Sequence, residues 1–303
     1  MPLPIVHHPA YVAPMPAGHR FPMGKFGRLM AYLLEQRMLA PAQVHVPELA
    51  PPEWLGLAHA PEYVDAVLSQ SLDQAAACVI GLPITLGVAT RSRAANAGTV
   101  LTARLALEHG LACNTAGGSH HAFAAYGSGF CVFNDVAVAA RVLLREGLVE
   151  RVLVVDLDVH QGDGTAAIFL DDARVFTFSM HCRTNFPVRK QRSDLDVALE
   201  AGLEDEPYLA LIAEHLPGLL EEVRPNLVFY NAGVDPHVDD RLGRLALTGR
   251  GLRQRERMVL ETCLKAGVPV AGVVGGGYAA DLDQLARLHA ILPQVASELF
   301  ATL

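Results

Sequence analysis

The sequence predicts an α/β protein, a three-layer α/β/α arrangement around a mostly parallel central sheet, and three observations carry that prediction. Short β-branched runs recur without polar alternation, at residues 152–156 (VLVVD), 175–180 (VFTFSM), 227–230 (LVFY) and 268–274 (VPVAGVV), as strands buried on both faces do. Stretches with helical apolar spacing separate them, and strand–helix alternation implies a parallel sheet covered on both sides. The polar clusters fall directly after the strand runs, where ligands of such folds bind.

Taken in order, the helical stretches are 94–108, 135–146, 208–223, 252–266 and 281–299. The second opens on Asn134 and Asp135, both good N-cap residues. Residues 74–90 are uncharged but short of the roughly 20 apolar residues of a membrane span, and Gly81, Pro83 and Gly87 interrupt them, so they read as buried core and loop. There is no internal repeat and no linker-like shift of composition. The later polar clusters need one another, which predicts a single domain over residues 1–303.

Composition bounds the function. With 51% apolar and 18% charged residues the chain is a globular protein rather than a disordered one. A net charge of −8 argues against direct nucleic-acid binding, which needs clustered cations, and is compatible with cationic ligands. Cys78, Cys113, Cys131, Cys182 and Cys263 lie far apart, with no CxxC pair and no dense disulfide framework. The opening MPLPIVHHPAYVAP lacks the basic and apolar regions of a secretory signal, so a reducing cytoplasm is the expected location.

The chemistry centres on Asp156-Leu-Asp158-Val-His160, which leaves a strand. If the extended backbone continues, Asp156, Asp158 and His160 share one side. Two carboxylates buried together repel each other unless a cation or protons compensate, and a metal ion is the economical answer. Asp235, after another strand, completes a three-ligand set with Asp158 and His160 and leaves positions open for water and substrate. By spacing, His237 and Asp240 compete for that role. The pair His120-His121 in a glycine-rich loop is suited to moving protons beside a metal, with Asp156 and Asp163 available to orient the two rings. In Gly275-Gly-Gly-Tyr278 the glycines let backbone approach a ligand closely, and the tyrosine can donate to a developing oxyanion.

These pieces, GGSHHA (117–122), GFCVFND (129–135), VDLDVHQGDGT (155–165), NAGVDPH (231–237) and GGGY (275–278), together with HRFPMGKF (19–26), resemble the zinc-dependent histone deacetylase family of the arginase/deacetylase group. The resemblance covers nearly the whole chain. It implies a hydrolase that removes acetyl or longer acyl groups from the ε-amine of lysine in proteins or peptides. Asp158, His160 and Asp235 are then zinc ligands, His120 and His121 proton carriers, Asp156 and Asp163 their orienting carboxylates, and Tyr278 the oxyanion donor. Gly129, Phe130, Phe186 and Gly276 are implied to line the substrate tunnel, and a structural potassium ion to sit near Asp156, Ser179 and Met180. One catalytic metal is expected, since the two-manganese relatives carry DxHxD where this chain has DxDxH.

Gln161, HRFPMGKF and RSDLDVAL (192–199) look like the class IV deacetylases, bacterial ones included. Residues 81–93 offer no acid to grip a peptide backbone as class I enzymes do. An acetylpolyamine or other small acyl-amine amidohydrolase shares the chemistry, but the insertion that narrows its site has no counterpart here. A noncatalytic acyl-lysine binder is the alternative outside catalysis, and every expected catalytic position is filled.

Overall fold

The structure, a computed structural model, describes residues 2–302; Met1 and Leu303, the ends of the expected domain, lie outside the described residues. Eight strands form one sheet: β1 (Ile5–Val6), β2 (Val44–His45), β3 (Leu111–Asn114), β4 (Val152–Asp156), β5 (Val175–Cys182), β6 (Leu195–Leu199), β7 (Leu227–Asn231) and β8 (Val270–Val273). Their order is β2-β1-β3-β8-β7-β4-β5-β6, and every neighbouring pair is parallel. The α-helices are α1 (Lys25–Glu35), α2 (Pro52–Leu55), α3 (Pro61–Leu68), α4 (Gln74–Ile80), α5 (Leu86–His109), α6 (Asp135–Arg145), α7 (Asp163–Phe169), α8 (Asp205–Val223), α9 (Gly249–Lys265), α10 (Leu282–His289) and α11 (Ile291–Phe300).

The central strands β3, β8, β7 and β4 are buried along their whole length. Each Val or Leu they hide from water contributes about 1.5–3 kcal/mol. Register aligns their ends: Asp156 pairs with Asn231 on one side and Ser179 on the other, and Asn231 pairs with Val273. The loops that follow β4, β7 and β8 therefore leave the sheet at one level, and the loop after β3 joins them from the neighbouring strand.

Several expectations change. Residues 74–90 are core and loop only in part: Ile80, Leu82, Val88 and Ala89 are buried and 81–85 is a loop, but Asp73 caps α4 by accepting from Ala76 N, Thr85 caps α5 by accepting from Val88 N, and Cys78, Val79 and Leu86 face solvent. The α5 helix starts eight residues before the expected 94 because small buried residues run round it and leave no apolar stripe. The expected helix 281–299 is two helices separated at Ala290; Pro293 fits only because it lies in the first turn of α11, where its missing N–H is not needed. The two-residue strands β1 and β2 were too short to announce themselves, and β3 (LACN) lacks a β-branched residue. Among the described residues no helix is long and apolar enough to cross a membrane, and all five cysteines are free thiols.

Candidate active site

The β4 strand stops at Asp156, so the convergence after it does not arise from strand alternation as expected. Instead the chain turns twice on its own carboxylates: Asp158 N donates to Asp156 Oδ1 at 3.2 Å and His160 N to Asp158 Oδ1 at 3.0 Å. Such turns, in which an aspartate accepts from the backbone two residues on, send alternate side chains to different places. Asp156 points to His120, while Asp158 and His160 meet Asp235 from the loop after β7.

The ligating atoms of Asp158, His160 and Asp235 lie within 4.8 Å of one another, and all three residues are buried. His160 Nδ1 stands 3.0 Å from Asp158 Oδ1 and 3.1 Å from Asp235 Oδ2. The other oxygens are held by backbone: Gly276 N donates to Asp158 Oδ2 at 2.7 Å and Val159 N to Asp235 Oδ1 at 2.9 Å. A side chain at Gly276 would bring its Cβ to 2.2 Å from Asp235 Oδ2 and 2.5 Å from Asp158 Oδ2, so only glycine fits against both. His237 and Asp240, the competitors, are elsewhere: His237 Nδ1 accepts from Asp239 N, and Asp240 accepts from the backbone of Leu242, Gly243 and Tyr278.

The donor set suits a cation. Burial and the like charge of Asp158 push the Asp235 carboxyl up to about 7. Burial opposes a charged His160, yet hydrogen bonds to Asp158 and Asp235 carry its imidazole up to about 10. Within the protein alone, His160 is thus the only cation able to offset the pair from among the three, and a divalent ion relieves it of that task. One imidazole nitrogen and carboxylate oxygens match Zn²⁺ or Fe²⁺ with positions left open.

Beside this trio stand two His–carboxylate pairs. His120 Nδ1 is 2.6 Å from Asp156 Oδ2, and His121 Nδ1 is 2.6 Å from Asp163 Oδ1. Their environments split them. Burial disfavours both imidazoliums, but Asp156 and Asp158 outweigh it at His120 and raise it to about 9. At His121 burial prevails, reinforced by the charge of His120, and lowers it to about 4. The neutral ring, His121, is the one that lines the open pocket.

That pocket, about 400 Å³, is walled by Phe130 and Phe186 and floored by His121, His160 and Tyr278. Phe186 packs edge-on to His121 with centroids 4.8 Å apart. Phe130 stands 5.9 Å from the Tyr278 ring and holds φ of 66°, an uncommon left-handed backbone for a bulky residue, immediately after Gly129 at φ 52°. A Cβ on Gly129 would meet His121 Cδ2 at 2.7 Å. Further in, a hollow of about 30 Å³ lies between Phe21, Lys25, Arg91, His120 and Tyr278.

Three supports escaped the sequence reading. Lys25 is buried with Nζ 3.0 Å from Gly275 O and 3.4 Å from Gly277 O, so α1 anchors the turn that delivers Tyr278. Asn231 Nδ2 donates to Asp156 Oδ1 at 2.9 Å. Arg255, wholly buried on α9, donates to Leu157 O at 3.1 Å and to Glu256 Oε1 at 2.7 Å, and Glu256 also accepts from Tyr230. The signal for the last was an Arg-Glu pair on the apolar face of a helix, where charges seldom sit unless paired. Arg255→Met strands the Glu256 charge and is expected to cost about 3–5 kcal/mol in urea unfolding. A loss below about 1 kcal/mol would mean that the pair is dispensable to the fold.

The site sits where adjacent parallel strands of an α/β sheet end, and it holds a buried Asp–His–Asp trio of the kind that can bind a metal ion. A family model described as "Histone deacetylase domain" matches residues 19–292, and the chain belongs to the histone deacetylase family. It is 57% identical to an uncharacterized protein of Picosynechococcus sp., covering 99% of this chain and all of that one. It is 30% identical to Histone deacetylase 2 of Arabidopsis thaliana over 86% of this chain and 70% of the relative. Among solved structures, the HDA15 HD domain superposes with a TM-score of 0.81 over 99% of this chain and 92% of that one, at 20% identity, a likeness of fold.

Proposed function

We propose that this protein hydrolyses the acetyl amide on the ε-amine of lysine in a peptide or protein. The observation that carries the reading is the buried Asp158–His160–Asp235 trio, whose His160 lines an open pocket together with His121 and Tyr278. When bound there, zinc polarises the scissile carbonyl and makes water a competent nucleophile near neutral pH. The rest falls to the chain. His121, neutral and oriented by Asp163, accepts the proton of the attacking water through the nitrogen left free. His120, kept charged by Asp156, holds a proton next to it, with ring centroids 4.1 Å apart, for the departing amine. Tyr278 donates to the oxyanion, and Phe130 and Phe186 flank the lysine methylenes.

The potassium ion implied by the resemblance belongs to the same proposal, since Asp156 and Ser179 are register partners and bring their backbones side by side with Met180 next in line. The resemblance implies acetyl or longer acyl groups, and a hollow of about 30 Å³, with room for about one water, supports the acetyl end of that range.

The expected result is turnover of acetyl-lysine peptides by zinc-loaded protein at about one zinc per chain, with kcat/KM at least about tenfold above octanoyl- and myristoyl-lysine peptides. Mass spectrometry of the products, with metal quantified, checks it. A higher kcat/KM for acetylpolyamines would move the assignment to that class. Tight peptide binding without turnover would make the protein a binder.

A further inference from the structure

The mouth of the pocket is charged opposite to the molecule. The chain carries a net charge of −8, yet the pocket lining includes Arg20 and Arg244 and no aspartate or glutamate. The two arginines come from different segments of the chain. Arg20 belongs to the segment whose His19 and Phe21 rings pack 6.3 and 5.4 Å from Phe130. Arg244 follows Leu242, whose carbonyl accepts from Asn185 Nδ2 beside Phe186. Both are exposed, and among the described residues neither takes part in an ion pair.

Acids on nearby segments of the chain have partners of their own. Glu200 pairs with Arg183 at 3.1 Å, Asp239 accepts from Gln284 at 2.8 Å, and Asp73 caps α4. Asp240 accepts three backbone N–H groups, from Leu242, Gly243 and Tyr278. Among the described residues no side chain therefore pairs with the two guanidinium groups. Arginines are the side chains best shaped for a carboxylate, and two of them lining one pocket raise the local concentration of anions.

We infer that the substrate presents a carboxylate close to its acylated amine, received by Arg20 and Arg244. The inference rests on the deacetylase reading above and names the kind of substrate that this site takes. The carboxylate comes either from an Asp or Glu next to the acyl-lysine in a peptide or from the α-carboxylate of a free acyl-lysine. A cationic flank, and a polyamine above all, meets repulsion at the same place.

The test is a ratio measured with zinc-loaded protein on capped, amidated acetyl-lysine peptides that differ only in the residues on either side: Glu, Gln or Lys. Free Nε-acetyl-lysine and its amide form a second pair that separates the two sources of carboxylate. The expected kcat/KM is about fivefold higher for the Glu than for the Lys peptide, carried by KM, and the ratio shrinks at 1 M salt. In the doubly substituted Arg20→Gln/Arg244→Gln protein the ratio falls to about one, while Arg20→Lys/Arg244→Lys keeps most of it. Equal rates on the Glu and Lys peptides, or a preference that survives in the double Gln variant, would overturn the inference. Absence of turnover on the neutral Gln peptide would instead overturn the deacetylase reading, and this inference with it.

Discussion

Asp235→Ala is expected to leave a folded protein that no longer holds metal. The three ligating side chains come from two loops, and Asp235 is the sole contribution from the loop after β7, so its removal leaves two donors from a single turn. The site is also one in which repulsion is stored: burial and Asp158 already disfavour the Asp235 carboxylate. Taking it away relieves that repulsion but leaves Val159 N and His160 without that acceptor, so the two effects offset and the metal-free variant should unfold close to the temperature of the metal-free parent. The difference appears on adding zinc. The parent gains about 2.7 kcal/mol at a hundred times its dissociation constant, and the variant gains nothing at that concentration. Dialysed variant protein should retain well under a tenth of the parent's zinc, with turnover at background. Zinc near one per chain and persistent activity in the variant would remove Asp235 from the ligand set.

The reading of the site from sequence went furthest where function is written in consecutive residues. The spacing in 156–160 pointed to a metal, and the trio it predicted with Asp235 is the one the fold brings together. The convergence does not come from a continuing strand: β4 ends at Asp156, and two backbone-accepting aspartates bring the groups together. Gln161 shows a different limit. It stood out only as a family mark, along with residues 192–199, and the fold makes the two one unit: Gln161 donates to Gln191 O and Asp196 Oδ1, both at 2.7 Å, and so ties the ligand loop to the edge strand β6. Lys25 and Arg255 could not be placed from sequence, since each acts on a carbonyl far along the chain, at Gly275 and Leu157. Periodicity reports which face of a helix is apolar and is silent about which distant backbone a buried charge will meet.

Tyr278→Phe separates catalysis from binding and fold with a single atom. The ring is fixed without its hydroxyl: Tyr278 N donates to Asp240 Oδ2 at 2.6 Å, its carbonyl accepts from Arg241 Nε at 2.9 Å, and Lys25 holds the carbonyls of Gly275 and Gly277. Phe130 and His160 flank the ring at 5.9 and 6.2 Å, contacts that phenylalanine keeps. Among the described residues the hydroxyl has no hydrogen-bond partner, so it is at liberty to serve a substrate oxygen at the pocket floor. It also stays protonated, because burial and the Asp158 and Asp235 carboxylates push its ionisation well above the usual tyrosine range. A donor of this kind matters most when the carbonyl oxygen becomes an oxyanion. The expected kcat on an acetyl-lysine peptide is therefore about 10²- to 10³-fold lower in the variant, about 2.7–4 kcal/mol of lost transition-state stabilisation. Urea unfolding should be unchanged within about 0.5 kcal/mol, and zinc content should be unchanged too. KM and the affinity for a zinc-chelating hydroxamate, compared in the two proteins, show whether ground-state binding is spared. Equal turnover would reduce Tyr278 to a residue that closes the pocket wall, and a loss of affinity as large as the loss of kcat would place its hydroxyl in substrate binding instead.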